Sequence, residues 1–175
     1  MPRARLGSGS WQLEGDKLAA LRAKIKAGTK TLGEVYGPPL RGILTGLNEA
    51  FIVSRERRDE LVKRDARSAE LLVPFLRGEN IKRWRVESED LWLLNIQFGW
   101  TRKRFAHIPA TNANNRESDF WRTLGQTHPA VADHLAPFEQ KARVRTDQGQ
   151  YWWELRACSF SDQFVKAKIV FPEMA

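Results

Sequence analysis

The chain has 175 residues, which is enough for one domain with or without a small appendage. Its 42% hydrophobic and 29% charged residues exclude a disordered tail and a collagen-like fibre, and its single cysteine, Cys158, excludes an internal disulfide and a cysteine-rich zinc site. No apolar run approaches the roughly 20 residues of a membrane span, and the first residues lack the apolar core of a secretory signal, so we expect a cytoplasmic protein.

The formal net charge is +8, from 29 lysines and arginines against 21 acidic residues. This excess favours a polyanionic partner such as nucleic acid, although many basic proteins are only soluble cations. Seven tryptophans are present, and three of them lie within two positions of an arginine: Trp84, Trp100 and Trp121. Bases stack on aromatic faces while cations hold phosphates. The alternative is that these rings fill the core and the arginines reach outward.

The N-terminal part of the chain predicts one helix. It begins at Asp16, carries Leu18, Leu21 and Ile25 on one face, and ends at a Gly28 C-cap. Its lysines fit a solvated helix better than a nucleic-acid surface.

The middle of the chain predicts alternating short elements. Residues 40–54 predict a strand, a tight Gly- and Asn-containing loop and a second strand. Residues 54–65 predict a charged helix with a serine N-cap, and residues 68–78 a second short helix disturbed by a proline. Residues 81–86 and 90–96 predict two further strands.

The second half of the chain contains a long segment without periodicity. Residues 97–127 are polar, basic and aromatic, and a loop of this length is usually functional or disordered. Residues 128–145 predict a helix, and residues 151–156 and 166–174 predict strands. The whole pattern predicts an α+β fold: a twisted, mostly antiparallel sheet with short flanking helices and an N-terminal helix.

Familiar catalytic motifs are absent from the sequence. It has no glycine-rich cofactor loop or N-P-P-aromatic tetrad of a DNA methyltransferase, no phosphate-binding loop, and no metal-binding histidine spacing. One formal nuclease pattern occurs, in which Glu139 and Lys141 form E-x-K with Asp119 or Asp133 as partner. Because the triplet lies in a predicted helix, where side chains at i and i+2 diverge, we expect a solvated helix face there.

Six blocks of sequence follow one another in a specific order. They are GILTGLNEAFIV (42–53), SAELLVPFLRGENIKRWRV (68–86), LWLL (91–94), HPAVADHLAPFEQKARVR (128–145), YWWELR (151–156) and KAKIVFPEM (166–174). In this order they resemble the TaqI-like C-terminal specificity domain, the target-recognition module of type II restriction-modification enzymes and adenine-specific DNA methyltransferases.

The resemblance implies a role in sequence-specific recognition of double-stranded DNA. It implies no catalytic residue and no cofactor in this chain, since S-adenosylmethionine and the N-P-P-Y tetrad belong to a separate methyltransferase domain of an adenine-N6 methyltransferase, with or without endonuclease activity. We therefore expect a flexible lead over 1–10 and a recognition domain over 11–175, C-terminally truncated relative to its parent. Its partners would be duplex DNA and that methyltransferase domain, with no membrane.

Base readout is predicted within residues 97–127, because Arg, Lys and Asn side chains pair with base edges. The alternatives are a disordered surface loop or a protein contact. The candidates are Arg102, Lys103, Arg104, Asn112, Asn114, Asn115, Arg116 and Arg122.

Phosphate contacts are predicted on and after the P-F-L-R-G block and in the T-G-L-N turn, and stacking is predicted at three tryptophans. The alternatives are a solvated strand edge for the first group and a tight turn with positive φ at its glycine for the second. The phosphate candidates are Arg77, Lys82, Arg83, Arg85, Thr45, Gly46 and Asn48, and the stacking candidates are Trp84, Trp100 and Trp121.

Two other functions stay open. The chain could be a protein-interaction module that docks subunits of a phage-defence complex, or a nuclease built on Glu139 and Lys141. Salt-dependent DNA binding would favour the recognition module over the protein-interaction module. Metal-dependent cleavage of DNA would favour the nuclease over the recognition module.

Overall fold

A computed structural model describes residues 15–107 and 116–171. The chain divides into two compact units, residues 1–41 and 42–175. The predicted lead over 1–10 lies outside the described residues.

The N-terminal unit contains two short helices, α1 (Asp16–Lys26) and α2 (Leu32–Tyr36). The predicted helix is confirmed, and Gly28 follows it at φ +75°. Helix α1 buries none of its residues, so its leucines and isoleucine are exposed.

The second unit is built from short helices around a small sheet. Its helices are α3 (Asn48–Phe51), α4 (Arg55–Arg64), α5 (Trp100–Arg104), α6 (Arg116–Thr127), α7 (Pro129–Leu135) and α8 (Glu139–Val144). Its strands are β1 (Ile52–Val53), β2 (Leu72–Phe75), β3 (Ile81–Lys82), β4 (Arg85–Val86) and β5 (Leu91–Leu94). Short 3₁₀ helices span Ala66–Leu71, Gly78–Asn80, Ala136–Phe138 and Ser161–Val165.

The main sheet has three antiparallel strands in the order β1-β5-β2. Leu93 of β5 lies opposite Ile52 of β1 and Val73 of β2. Pro74 is tolerated in β2 because that strand is at the sheet edge, where a missing N–H breaks no central ladder. Strands β3 and β4 form a separate hairpin.

The core lies between this sheet and the helices. Helix α4 packs on β5 and α7, and α7 packs on α6. The core is filled by large side chains that are almost completely buried, including Phe51, Leu61, Leu94, Leu124, Leu135 and Trp153. The predicted α+β class is confirmed, with 51% helix and 11% strand, so helices contribute more of the fold than the sheet does.

Several predicted elements are confirmed. Ser54 Oγ accepts a hydrogen bond from the backbone N–H of Arg57 at 3.3 Å and begins α4. Strand β5 lies within the predicted strand over 90–96. The predicted helix over 128–145 is present as α7, a 3₁₀ turn at Pro137 and α8.

Three predicted elements in the first half need correction, while the second strand predicted in 40–54 is present as β1. In 40–54 the first strand does not form: residues 41–45 have no regular structure. Helix α3 begins at Asn48, whose side chain accepts a hydrogen bond from the Thr45 hydroxyl at 2.5 Å. The helix predicted over 68–78 stops at Leu71 and continues as strand β2. Residues 81–86 are two strands joined by a tight turn rather than one strand.

The C-terminal predictions also need correction. The segment 97–127 is helical on both sides of 108–115, which lie outside the described residues. Residues 151–155 form a buried turn, with one bridge between Gln148 and Leu155. Its backbone is bonded outside a sheet, because the Arg145 guanidinium donates to the carbonyl oxygens of Trp152 and Glu154 and the Leu155 N–H donates to the Ile96 carbonyl oxygen at 2.7 Å. Residues 166–171 are exposed and have no regular structure, and 172–174 lie outside the described residues.

Candidate nucleic-acid interface

The Y-W-W-E-L-R block holds the start of helix α5 in place. Glu154 is fully buried. Its carboxylate accepts hydrogen bonds from the backbone N–H groups of Gly99, Thr101 and Gln150, at 3.1, 2.9 and 3.0 Å. The Trp153 indole N–H donates to the Thr101 hydroxyl at 2.9 Å. Since the first N–H groups of a helix have no partner within it, Glu154 supplies acceptors that α5 lacks.

The turn before Glu154 requires a glycine at position 149. A Cβ atom there would collide with the Glu154 side chain and approach the Leu155 carbonyl oxygen. The sequence alone offered only a weak signal for this arrangement, namely a glycine five positions before an acidic residue within an aromatic block.

The anchored helix presents basic side chains to solvent. Arg102 is exposed, and its Nε donates to the Tyr151 hydroxyl at 3.3 Å, which raises the pKa of Arg102 further. Lys103, the next residue, is exposed too. The Nε atom of Arg102 is thus held against the buried Tyr151 side chain, while the two terminal nitrogens of its guanidinium stay available.

Arg116, at the start of α6, rests on the same aromatic pair. Its guanidinium lies 5.7 Å from the centre of the Phe120 ring, and that ring meets the Tyr151 ring edge-on with centres 5.6 Å apart. Arg102 and Arg116 are therefore joined through two buried rings. We call Arg102, Lys103 and Arg116 the cationic cluster.

Most exposed cations of the second unit are neutralised by carboxylates within 4 Å. Among the described residues of that unit, the exposed cations without such an ion pair are Lys63, Arg83, Lys168 and the cationic cluster. The three cations of the cluster are therefore exposed and without an ion pair in the described part of the chain, while the buried Glu154 carboxylate attracts Arg102 at longer range.

Two other base-readout candidates point to carboxylates. The Arg104 guanidinium lies 3.7 Å from the Glu70 carboxylate, and Arg122 pairs with Asp119 one turn earlier on α6. The remaining candidates, Asn112, Asn114 and Asn115, lie outside the described residues.

The second predicted basic group is largely neutralised. Residues 77–90 contain four cations and four carboxylates. The predicted phosphate ligands Arg77, Lys82 and Arg85 each lie within 4.0 Å of a glutamate, and these contacts count against a phosphate role. Arg83 makes no ion pair with the described residues.

The T-G-L-N turn has a structural role. Gly46 has φ +64°, and a Cβ there would lie 3.0 Å from that of Asp147, whose negative charge also disfavours a phosphate. The Thr45 hydroxyl donates to the Asn48 side chain and accepts from the Leu47 N–H at 3.2 Å. These contacts support the tight-turn alternative over the phosphate prediction.

Arg145 ties this turn to the buried block. It is almost completely buried, and burial lowers its pKa to about 10. Its guanidinium donates to the carbonyl oxygens of Thr45, Trp152 and Glu154 and stacks 4.2 Å from the centre of the Phe51 ring. This arginine therefore belongs to the scaffold.

Two of the three stacking candidates pack against the core. Trp100 meets Phe105 and His128 edge-on, with ring centres 5.6 Å apart in both pairs. Trp121 lies 4.5 Å from the Trp152 ring. Both are partly buried, so their ring faces are engaged within the protein, as the core alternative expects.

Trp84 differs from the other two tryptophans. It is 92% exposed and has φ +66°, at the tip of the β3–β4 hairpin. A residue with a Cβ pays roughly 1–2 kcal/mol for this left-handed conformation.

The nuclease pattern is not assembled as a site. Glu139 pairs with Arg143 at 2.8 Å, whereas Lys141 pairs with Glu49 of another helix at 2.7 Å, so the two side chains diverge as a helix requires. In the described part of the chain, no group of three or more His, Cys, Asp and Glu side chains could hold a metal ion.

Cys158 is half-buried and lines a cleft of about 310 Å³ with Asn95.

No helix within 15–107 and 116–171 is both long enough and apolar enough to cross a membrane. Comparisons of the chain with family models, with curated proteins and with solved structures found no match.

Proposed function

We propose that the chain is a sequence-specific recognition module for double-stranded DNA in a cytoplasmic restriction-modification enzyme or DNA adenine-N6 methyltransferase. The observation that carries this proposal is the cationic cluster, in which three exposed basic side chains make no ion pair with the described residues and two of them, Arg102 and Arg116, contact an aromatic pair. The buried Glu154 carboxylate holds the helix that bears two of them.

Uncompensated cations are suited to a polyanion. A cation already paired with a carboxylate must give up that contact to bind a phosphate, whereas an unpaired one only releases counterions from the DNA. The cluster can therefore contribute binding free energy that the ion-paired surface cannot.

The arginines of the cluster also suit base readout. An arginine guanidinium bonds both O6 and N7 of guanine in the major groove, and this pairing discriminates best when the side chain is preorganised. Arg102 is held by Tyr151, and Arg116 rests on Phe120. We assign sequence readout to these two arginines and phosphate contact to Lys103.

The order of sequence blocks supports the choice of parent enzyme. In such an enzyme, methyl transfer from S-adenosylmethionine belongs to a separate methyltransferase domain, and residues 42–175 would supply the grip on the duplex. An enzyme that modifies a base must take that base out of the stack, which requires such a grip.

A protein-interaction module is the second candidate, because one observation favours it. Leu18, Leu21 and Ile25 form an apolar face on α1 that is more than half exposed at each position. Exposed apolar patches of this kind often mark protein contacts.

Selection from a pool of random-sequence duplexes tests the proposed function. We expect the bound fraction to be enriched in a short shared motif. Arg102→Ala and Arg116→Ala should each relax the motif at one base pair, whereas Arg64→Ala should leave it unchanged because Arg64 pairs with Asp133 at 2.6 Å. Recovery of duplexes without a shared motif would contradict sequence-specific readout, and failure to recover any duplex would favour the protein-interaction module.

A further inference from the structure

The β3–β4 hairpin ends in an arginine and an exposed tryptophan. Lys82 pairs with Arg85 as the last pair of the ladder, which leaves Arg83 and Trp84 as a two-residue turn. Trp84 is 92% exposed, the largest exposed fraction among the large hydrophobic side chains of the described residues.

The hairpin is held firmly at its base by Asn80, which is 5% exposed. The Asn80 side chain accepts from the Arg77 N–H at 3.1 Å and donates to the Glu89 carboxylate at 3.0 Å. The backbone carbonyl oxygen of Asn80 accepts a hydrogen bond from the Glu87 N–H at 2.9 Å. The tip therefore projects from a fixed base.

Nothing within the fold accounts for a tryptophan at this position. The turn places residue 84 at φ +66°, where glycine or asparagine is favoured, and the ring contributes almost no buried area. A strained, exposed aromatic side chain that the fold does not need points to a contact with another molecule.

The charges around the tip select the kind of partner. The two cations of the hairpin stem, Lys82 and Arg85, both contact the Glu87 carboxylate. Residues 77–90 as a whole carry as many carboxylates as cations, so this segment neither attracts nor repels a polyanion strongly. Arg83, the residue before Trp84 in the turn, is exposed and makes no ion pair with the described residues. A flat ring with a cation next to it matches a base step with its adjacent phosphate.

We propose that the hairpin tip is an aromatic wedge that enters duplex DNA: Trp84 stacks on a base at an opened step, and Arg83 contacts the neighbouring phosphate. This inference rests on the proposed function and adds a second contact to it, distinct from the cationic cluster. Inserted apolar side chains unstack base steps at a cost that the protein contacts offset. The wedge therefore favours DNA whose stack is already interrupted.

The test compares two labelled duplexes of identical sequence, one intact and one with a single abasic site, by fluorescence anisotropy at low salt. We expect the wild-type chain to bind the abasic duplex about 5- to 10-fold more tightly, because stacking on the exposed base is gained without the cost of opening the step. Trp84→Ala and Trp84→Asn should abolish this preference, and Trp84→Phe should retain part of it.

Two controls make the result interpretable. Val144→Ala removes a side chain that is 82% exposed on α8 and should keep the wild-type preference. Trp84→Asn should melt no lower than the wild type, because asparagine accepts the left-handed turn. A lost preference in this variant therefore reflects a lost contact and not a lost fold.

Equal binding of both duplexes by the wild type would overturn the wedge and leave the proposed function standing. An undiminished preference in Trp84→Ala would also overturn it. If the wild type bound neither duplex, both the wedge and the proposed function would fail.

Discussion

Glu154 links a sequence block to the geometry of the interface. Its carboxylate is buried and satisfies backbone N–H groups on two segments, one of which is the start of α5. A carboxylate in this setting acts as a fixed acceptor rather than as a reactive group. The exposed arginine two residues beyond the start of α5 owes its position to it.

Removal of this acceptor should destabilise the chain. We expect Glu154→Ala to lower the free energy of unfolding by about 3 kcal/mol, since it leaves buried N–H groups without partners and opens a cavity. Glu60→Ala, on the exposed surface of α4, should cost less than about 0.5 kcal/mol. Urea denaturation followed by circular dichroism measures both. Equal, small losses would show that the buried hydrogen bonds do not hold α5.

At the scale of elements, helix α7 carries a buried histidine. His134 Nε2 lies 3.0 Å from the Ala50 carbonyl oxygen, and its Nδ1 accepts from Arg57 Nε at 3.4 Å. These partners assign the neutral tautomer with its proton on Nε2. Burial lowers the pKa of His134, the hydrogen bond to Ala50 opposes that shift, and the charge of Arg57 adds to it.

This histidine should make stability depend on pH. Because its folded-state pKa is lowered, its contribution is fully present above the unfolded value of about 6.5 and is lost as the pH falls through 6.5 toward the folded pKa. We expect the wild-type chain to lose more stability between pH 7 and pH 5 than His134→Gln does, in thermal melts at each pH. His107→Gln, at an exposed site, should behave like the wild type. Parallel profiles for the wild type and His134→Gln would contradict this assignment.

Local signals predicted some elements well and others poorly. The Ser54 N-cap and the leucine run of β5 are encoded by neighbouring residues, so sequence patterns found them. The buried turn over 151–155 resembles a strand in its apolar pattern. Its true conformation depends on Arg145 and on the loop before α5, and such contacts between distant segments leave no periodic signal.

The same distinction applies to the candidate site. Clusters of basic residues were visible in the sequence, but which of them are free of carboxylates was not. Arg85 and Arg102 are the same residue type, yet Arg85 pairs with the Glu87 carboxylate at 2.6 Å, whereas the partner of Arg102 among the described residues is the Tyr151 hydroxyl. Only the folded arrangement separates a compensated cation from an available one.

At the scale of the whole molecule, the net charge of +8 is a poor guide to where DNA would bind. Most exposed cations of the second unit form ion pairs with carboxylates. The cations without an ion pair that the two proposals use are the cationic cluster and Arg83. We therefore expect the electrostatic part of DNA binding to come from these side chains and not from the overall charge.

The dependence of duplex binding on salt tests this claim most directly. With phosphate contacts by Lys103 and Arg83, the logarithm of the affinity should fall against the logarithm of salt concentration with a slope of about −2. The triple variant Arg102→Ala, Lys103→Ala, Arg116→Ala should reduce this slope to about −1. The control triple variant Arg55→Ala, Arg64→Ala, Lys141→Ala loses the same charge from ion-paired positions and should keep a slope near −2. Equal slopes in the two triple variants, or a wild-type affinity that does not respond to salt, would contradict the account.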